Sequence, residues 1–518
     1  MSAGAARLTD ENLGDIQGFI TSGYSHLPLV AYLFVRLHDA GGGRRWIEAL
    51  ATSVSSSRPW PVATDGKKVK PTSAVNVAFT APGLAACGVP ERVMCTFPAE
   101  FQEGIAAPHR SPILGDTEES APAQWEIGGP ANEFHALVFI YAQDEAEMER
   151  VCRAQRALLE QTSGAVIELP GSLQRGYRPA SDREHFGFHD GIAQPSIDGI
   201  AQPSIAGIAR PGVPAGEFIL GYENHYGVIP PTPVVPGHLD PTGVLPAFAN
   251  PYHAALALRD LGRHGSYVVF RKLRQNVAAF WTFMKQEAIR LGGGADPAYM
   301  VWLASKCVGR WPGGAPLTMS PDRDDPTLAD CDDFLYAADP DGLGCPLGAH
   351  VRRANPRDVI KPYPPQQSLH MSEAHRLLRR GRAFGPPLFD PMLLQDPSSD
   401  AARRALLELR DDGQPRGVHF FCVNSSIRSQ FEFVQQTWCN NPRVGGLHDN
   451  KDPVVGDHGG DGQPASYMTI PRRASADRTS ALPRVVTVSA GAYLFMPSLS
   501  ALRFLARQRS SGSAAAPV

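Results

Sequence analysis

Two distant passages of the chain follow the same order, a strand and then a helix, and each is matched by a second pair of the same kind. Residues 29–50 read as LVAYLFVRL, an apolar strand run, then a short turn with three glycines, then a helix around Trp46. Residues 266–290 repeat the order, with SYVVFRKL as strand and NVAAFWTFMKQEAIRL carrying its apolar residues at helical spacing. FHALVFIYA (134–142) runs into EAEMERVCRAQRALLEQT, and VHFFCVN (418–424) runs into SIRSQFEFVQQTW. Two strand–helix pairs per half predict two copies of a β-α-β-β-α-β plan, an antiparallel sheet with helices on one face. The expected class is α+β, with two such halves, antiparallel sheets and peripheral helices.

Length agrees, since 518 residues exceed one ordinary core and suit two. We expect a first domain over 1–190, a connecting loop over 191–250, a second domain over 251–508 and a disordered tail over 509–518, where RSSGSAAAPV stands. The connecting stretch holds PGVPAG, VIPPTPVVPG and DPTG, which read as loop. It opens on an octapeptide repeat, GIAQPSID (191–198), GIAQPSIA (199–206) and then GIAR. The proline in each full copy argues against helix.

Composition narrows the partners. Apolar content of 43% with 19% charged residues is ordinary for a globular chain, and a net charge of -3 gives no electrostatic case for nucleic acid or an anionic membrane. The N-terminal MSAGAARLTDENLGDIQGF has early acids, no apolar segment follows of membrane-spanning length, and the expected location is cytoplasmic. None of the eight cysteines forms a C-x-x-C pair, so zinc ribbons, cysteine-held clusters and c-type haem attachment lack support, and free buried thiols are expected.

Three segments carry chemistry. In HFGFHDGIAQP (185–195), Gly187 and Gly191 bracket Asp190, and a carboxylate held beside an aromatic in a tight loop can be desolvated and tuned as a proton shuttle. The plainer reading is an Asp-Gly turn. His185, His189 and Asp190 also form H-x-x-x-H-D, which on a helix would suit a metal-dependent hydrolase, but the glycines oppose a helix. In CPLGAHVRRANPRD (345–358), His350 precedes Arg352, Arg353 and Arg357. A neutral imidazole is a common axial ligand for iron, and arginine grips carboxylates such as the haem propionates with a planar fork. HRLLRRGRAFGPP (375–387) reads as a short helical turn or strand end running into Gly381; of Arg376, Arg379, Arg380 and Arg382, at most one is expected to be functional and the rest solvated.

Together with DIQGFI (15–20), VGRWPGGAPL (308–317), NSSIRSQFEFVQQTW (424–438) and GAYLFMPSLSAL (491–502), these segments resemble the dye-decolorising peroxidase family, in particular its longer members, over almost the whole chain. The resemblance implies two ferredoxin-like halves, with haem held mainly by the C-terminal half, and one haem b per chain. It implies hydrogen peroxide as oxidant, with dyes and phenolic or other aromatic compounds as one-electron donors. By residue, it puts the distal acid on Asp190, the iron ligand on His350, the distal arginine on Arg379 and a propionate-binding arginine on Arg353. A carboxylate accepting from the ligand histidine would be Asp412 or Asp411. Ala383 stands where the family more usually has proline or another residue. The octapeptide also creates a second Asp-Gly at Asp198, but Pro195 replaces the glycine three residues before it, which favours Asp190. Trp311, Trp438 and Tyr493 fall in family-like segments and are expected to be core residues. A non-enzymatic haem-binding protein is the rival reading, and the pairing of Asp190 with Arg379 speaks against it. The sequence is compatible with a homo-oligomer and sets no stoichiometry.

Overall fold

In a computed structural model of the chain, residues 8–198, 200, 212–248, 257–458 and 465–508 are described. The second octapeptide copy, apart from Ile200, and the 509–518 tail lie outside them.

The first half runs β1 (Leu29–Leu37), α1 (Ala40–Ala51), β2 (Ser73–Phe79), β3 (Ala136–Ala142), α2 (Glu145–Glu160), β4 (Val166–Glu168) and β5 (Gln174–Tyr177). β3 lies antiparallel between β1 and β2, and β4 and β5 take the other edge of β1. The second half repeats this with β6 (Ser266–Gln275), α3 (Val277–Arg290), α4 (Pro297–Val308), α5 (His350–Ala354), β7 (Leu378–Arg379), β8 (Arg382–Phe384), β9 (Gly417–Asn424) and β10 (Val486–Met496). β6 sits between β10 and β9, and β7 and β8 pair with β9. Each half thus has the ferredoxin-like order of fourth, first, third and second strand.

The halves are more closely joined than two separate sheets. β10 meets β2 at Phe495 and Phe79, and β8 meets β5 at Ala383 and Tyr177, so eight of the ten strands close into a ring, with β4 attached to β1 and β7 to β9 outside that circuit. Side chains alternate across it, as the period of two requires. Val30, Tyr32 and Phe34 of β1 point into the ring with Phe139, Phe270 and Phe421, while Ala31, Leu33 and Val35 point outward to the helices. Both faces are covered, which is why the strands read as unbroken apolar runs. The last helix, α6 (Leu499–Arg507), lies on α1.

Two local expectations are corrected. The three glycines after β1 are not a turn; Gly41, Gly42 and Gly43 form the first turn of α1, capped by the Asp39 carboxylate on the Gly42 amide. Close approach explains them, since a Cβ on Gly42 would lie 2.1 Å from Cβ of Ala165. The segment after β9 is helical but π-wound, over Arg428–Glu432 and Val434–Cys439. None of the eight cysteines is in a disulfide. Among the described residues no helix is long and apolar enough to cross a membrane.

The second sheet positions the site. Phe270 turns into the ring, so its neighbours Arg271, Leu273 and Gln275 turn outward, and Val418 and Phe420 of β9 and Val486 and Val488 of β10 share that outer face.

Candidate active site

This outer face forms one wall of a cavity of about 300 Å³, closed by the loop 184–193, α5 and the π-wound helix. Its walls are largely apolar, with Phe186, Phe188, Ile192, Phe431 and Val455 among them. His350, Asp190 and Arg379 all line it.

His350 is the first residue of α5. Its Nδ1 lies 2.9 Å from Oδ2 of Asp452, so the imidazole donates there and turns Nε2 to the cavity. Asp452 is fully buried, and its Oδ1 accepts from the amides of Val454 at 2.9 Å and Val455 at 3.0 Å. Burial alone would raise the Asp452 carboxyl, but the charge and hydrogen bond of His350 and the two amides bring it down to about 2. Burial likewise opposes the charged imidazole, and the Asp452 carboxylate outweighs it, leaving His350 more basic than an ordinary histidine.

Asp190 ends a turn that only glycine permits. Gly187 has φ +104°, and a Cβ there would lie 2.3 Å from Cδ1 of Leu394. Oδ1 of Asp190 accepts from the Gly191 amide at 2.6 Å and from Nη1 of Arg379 at 3.0 Å, and the residue lines the cavity. Burial works to raise this carboxyl, but the Arg379 guanidinium and the Gly191 amide hold it below the usual carboxylate range. Arg379 sits on β7, and its main-chain amide donates to Oε1 of Gln194 at 3.0 Å, in the first octapeptide copy.

The other arginines differ from expectation. Arg353 is buried away from the cavity, its guanidinium bonded to the carbonyls of Trp438 at 2.7 Å, Asn441 at 3.1 Å and Asn450, so no donor pair is left for a propionate. Arg380 and Arg382 are not solvated but bind main-chain carbonyls of Phe19, Ile20, Gly23 and Tyr24. Arg376 does line the cavity; its guanidinium has no hydrogen-bond partner among the described residues, and burial pulls it down to about 10. Residue type alone could not have found it, since these tertiary carbonyls decide which arginine is free.

Asp412 and Asp411 are not the partners of His350; both face Arg416, Asp412 at 2.7 Å. Asp452 does that work, 102 residues beyond the histidine, in DNKDPVVG, where nothing local marks it. Asp198 stands outside the cavity, its amide bonded to the Val213 carbonyl at 2.9 Å. The metal-hydrolase arrangement does not form. His185 meets the Phe384 carbonyl at 2.8 Å, burial takes it down to about 4, and the segment is a loop. Among the described residues no three His, Cys, Asp or Glu side chains are grouped to hold a metal ion. Trp311, Trp438 and Tyr493 are buried.

The donor set fits a haem. An apolar cavity offers one imidazole nitrogen backed by a buried carboxylate, an acid–arginine pair, and in Arg376 a guanidinium with no hydrogen bond among the described residues, near the charges of Asp332 and Glu373, suited to a propionate.

No family model matches the chain. It is 28% identical over 509 residues to a dye-decolorizing peroxidase of Exidia glandulosa, covering 95% of this chain and 86% of that one. It is 29% identical over 485 residues to the multifunctional dye peroxidase DyP2 of Amycolatopsis sp., covering 91% of each. Among solved structures, an ancestral D-type dye decolorizing peroxidase superposes with TM-score 0.73 at 24% identity, covering 96% of this chain and 99% of that chain. A fungal DyP-type peroxidase from Auricularia auricula-judae gives TM-score 0.71 at 24% identity over the same shares. At that identity the structural likeness is one of fold.

Proposed function

The chain belongs to the dye-decolorising peroxidase family, and from that premise we propose that Asp190, Arg379 and His350 are the working residues of its peroxidase site, with one haem b per chain. The enzyme reduces hydrogen peroxide and oxidises dyes and phenolic compounds by one-electron steps. A related peroxidase has been solved in complex with 2,6-dimethoxyphenol, which makes that phenol the first donor to assay.

Haem, when bound, supplies the iron at which peroxide is cleaved and the oxidising equivalents that the donor then fills. His350 would hold the iron through Nε2, its Nδ1–H directed to Asp452, which strengthens the imidazole as a donor. Oδ2 of Asp190 takes the proton from one oxygen of hydrogen peroxide and returns it to the other, which leaves as water. Arg379 offers its guanidinium to the charge that gathers on the departing oxygen. Arg376, rather than Arg353, would take a propionate. The eight unpaired cysteines suit the reducing cytoplasm, the compartment we propose.

The observation that carries this reading is Asp190 lining the same cavity as His350, its Oδ1 bonded to the Gly191 amide and to Arg379, which hold the carboxyl below the usual range. Asp190→Asn should bind haem with an unaltered absorption spectrum and lose about 10²- to 10⁴-fold in kcat/KM for peroxide. His350→Ala should lose haem or change its spin state. Wild-type peroxide reactivity in the first variant, or an unaltered spectrum in the second, overturns the assignment of that residue.

A further inference from the structure

Six residues before Asp190, in the same loop, Glu184 carries a carboxylate that neither the peroxide step nor haem binding uses. Its Oε2 accepts from the Phe186 amide at 2.9 Å and its Oε1 from the Phe188 amide at 3.0 Å. Its main chain closes the same turn, the amide donating to the Phe188 carbonyl at 3.0 Å and the carbonyl accepting from Gly187 at 2.8 Å. A third donor comes from the sheet: Nε2 of Gln275, the last residue of β6, reaches Oε2 at 2.6 Å. Oε1 of the same amide is buried and has no partner. Both side chains line the cavity, and Gln275 also lines a polar outer groove with Arg274, Asp411 and Arg416.

We infer that Glu184 is a positioning residue for the distal acid: its carboxylate, gripped by two amides of its own loop and by Gln275, pins the loop that ends at Asp190 to strand β6. The inference rests on Asp190 being that acid. The far end of the loop is held separately, by the Asp190 amide on the Asp182 carbonyl at 3.0 Å and the His189 amide on the Pro312 carbonyl at 3.1 Å. Without Glu184 the middle of the loop keeps two buried amides with no acceptor, which costs about 1–3 kcal/mol each and leaves the turn held through its carbonyls, by Arg183 on Gly187 at 3.1 Å and the Trp281 indole on Phe186 at 3.2 Å. A reacting group displaced by about 1 Å can lose on the order of 10²-fold in rate.

The grip also depends on charge. Burial pushes the Glu184 carboxyl up to about 7 against its three hydrogen bonds, and the like charge of Asp190 pushes the same way. The charged and titratable groups around the loop are Arg183, whose guanidinium donates to the Gly187 carbonyl at 3.1 Å, His185, His189 and Asp190 on the loop itself, Arg271 on β6, Arg379 on β7, His350 on α5 and Arg416 beyond Gln275. Ionised, Glu184 accepts all three donors. Protonated, Oε2 becomes a donor, and the unpartnered Oε1 of Gln275 is the acceptor at hand once that amide turns over. The grip on the Phe186 amide is then lost, so the loop should tighten as pH rises through neutrality.

The test uses Glu184→Gln and Gln275→Leu in two measurements. The first is hydrogen exchange of the 184–191 segment in haem-free protein from pH 5 to 9. The second is kcat/KM for peroxide in the haem-loaded enzyme, beside Asp190→Asn. We expect exchange in the segment to rise about 10-fold in both variants and kcat/KM for peroxide to fall about 10-fold, with the haem spectrum and the KM for the donor unchanged. The wild-type exchange profile should show a step near pH 7 that Glu184→Gln abolishes. Should Glu184→Gln not fold, Gln275→Leu, which leaves both amide bonds in place, carries the test. Unchanged exchange in the segment, or faster exchange with wild-type kcat/KM, overturns the inference. Wild-type reactivity in Asp190→Asn instead overturns the role of Asp190, and the exchange data still judge the grip separately.

Discussion

The imidazole of His350 and the carboxylate of Asp452 meet at 2.9 Å, across 102 residues of chain, and Asp452 is wholly buried behind that contact. The pair places a negative charge on the side of the ring away from the cavity. Asp452→Asn keeps a hydrogen-bond acceptor in place and removes the charge, so the ring should become a poorer donor to iron. We expect haem affinity to fall about 10- to 100-fold and the reduction potential of the bound haem to rise. Haem titration and a redox titration of the variant check both, and an unchanged potential would exclude a charge effect from Asp452.

Asp190 has a carboxyl that burial pushes up and Arg379 holds down, with a net fall below the usual range. The sign follows directly. The base form is present above the lowered pKa, so peroxide reactivity should persist into acid and be lost only as pH falls through it. The same group adds to stability above the unfolded carboxylate range and loses that contribution on the same descent. In Arg379→Ala the downward pull is gone, so the acid limb of kcat/KM for peroxide should move to higher pH as the rate itself falls. An acid limb in the same place would show that Arg379 does not set the protonation of Asp190.

Which parts of this were legible beforehand divides by range. β1, β3, β6 and β9 could be read because a strand covered on both faces is an unbroken apolar run, and LVAYLFVRL or VHFFCVN has no other plain reading. Asp190 and His350 stood out because glycines flank one and arginines the other. The closed ring left no trace, since it is joined at single residue pairs, Phe79 with Phe495 and Ala383 with Tyr177. The arginines misled for the same physical reason. Arg353 and Arg380 are spent on main-chain carbonyls that only the folded chain brings near, while Arg376 is left over.

Arg376 makes the sharpest contrast between the empty and loaded protein. Burial makes its charge costly, and the nearby charges of Asp332 and Glu373 offset this only in part, against Arg357 and Arg379. Arg376→Leu should therefore leave the haem-free protein as stable as wild type or more so. A charge-assisted hydrogen bond is worth roughly 1.5–3 kcal/mol, so haem affinity should fall about 10- to 100-fold. Thermal unfolding of the haem-free variant and a haem titration separate the two effects. Loss of stability without loss of affinity would mean that Arg376 is a core residue and not a propionate partner.

The ring interior makes a prediction about folding alone. Phe421 stacks on Phe270 at 4.9 Å and touches Tyr32 at 4.9 Å and Phe139 at 5.2 Å, which ties β9 of one half to β1 and β3 of the other. Phe421→Ala should cost about 3–5 kcal/mol in chemical denaturation, through one transition shared by both halves. Two separate transitions would show that the halves fold without the ring.

Gln194 supplies the last link between the repeat and the chemistry. Its Oε1 accepts the main-chain amide of Arg379 at 3.0 Å, so the first octapeptide copy helps to fix the arginine that holds Asp190. Gln194→Ala removes an acceptor worth about 0.5–1.5 kcal/mol and lets β7 shift at that residue. At about 1.4 kcal/mol per tenfold, the loss in kcat/KM for peroxide should reach roughly 10-fold, with haem binding unchanged. The counterpart in the second copy, Gln202, lies outside the described residues. Deleting 199–206 keeps both Gln194 and Asp190, so peroxide reactivity should survive it while Gln194→Ala lowers it. The opposite ranking would place the working glutamine in the second copy and break the link from Gln194 to Arg379.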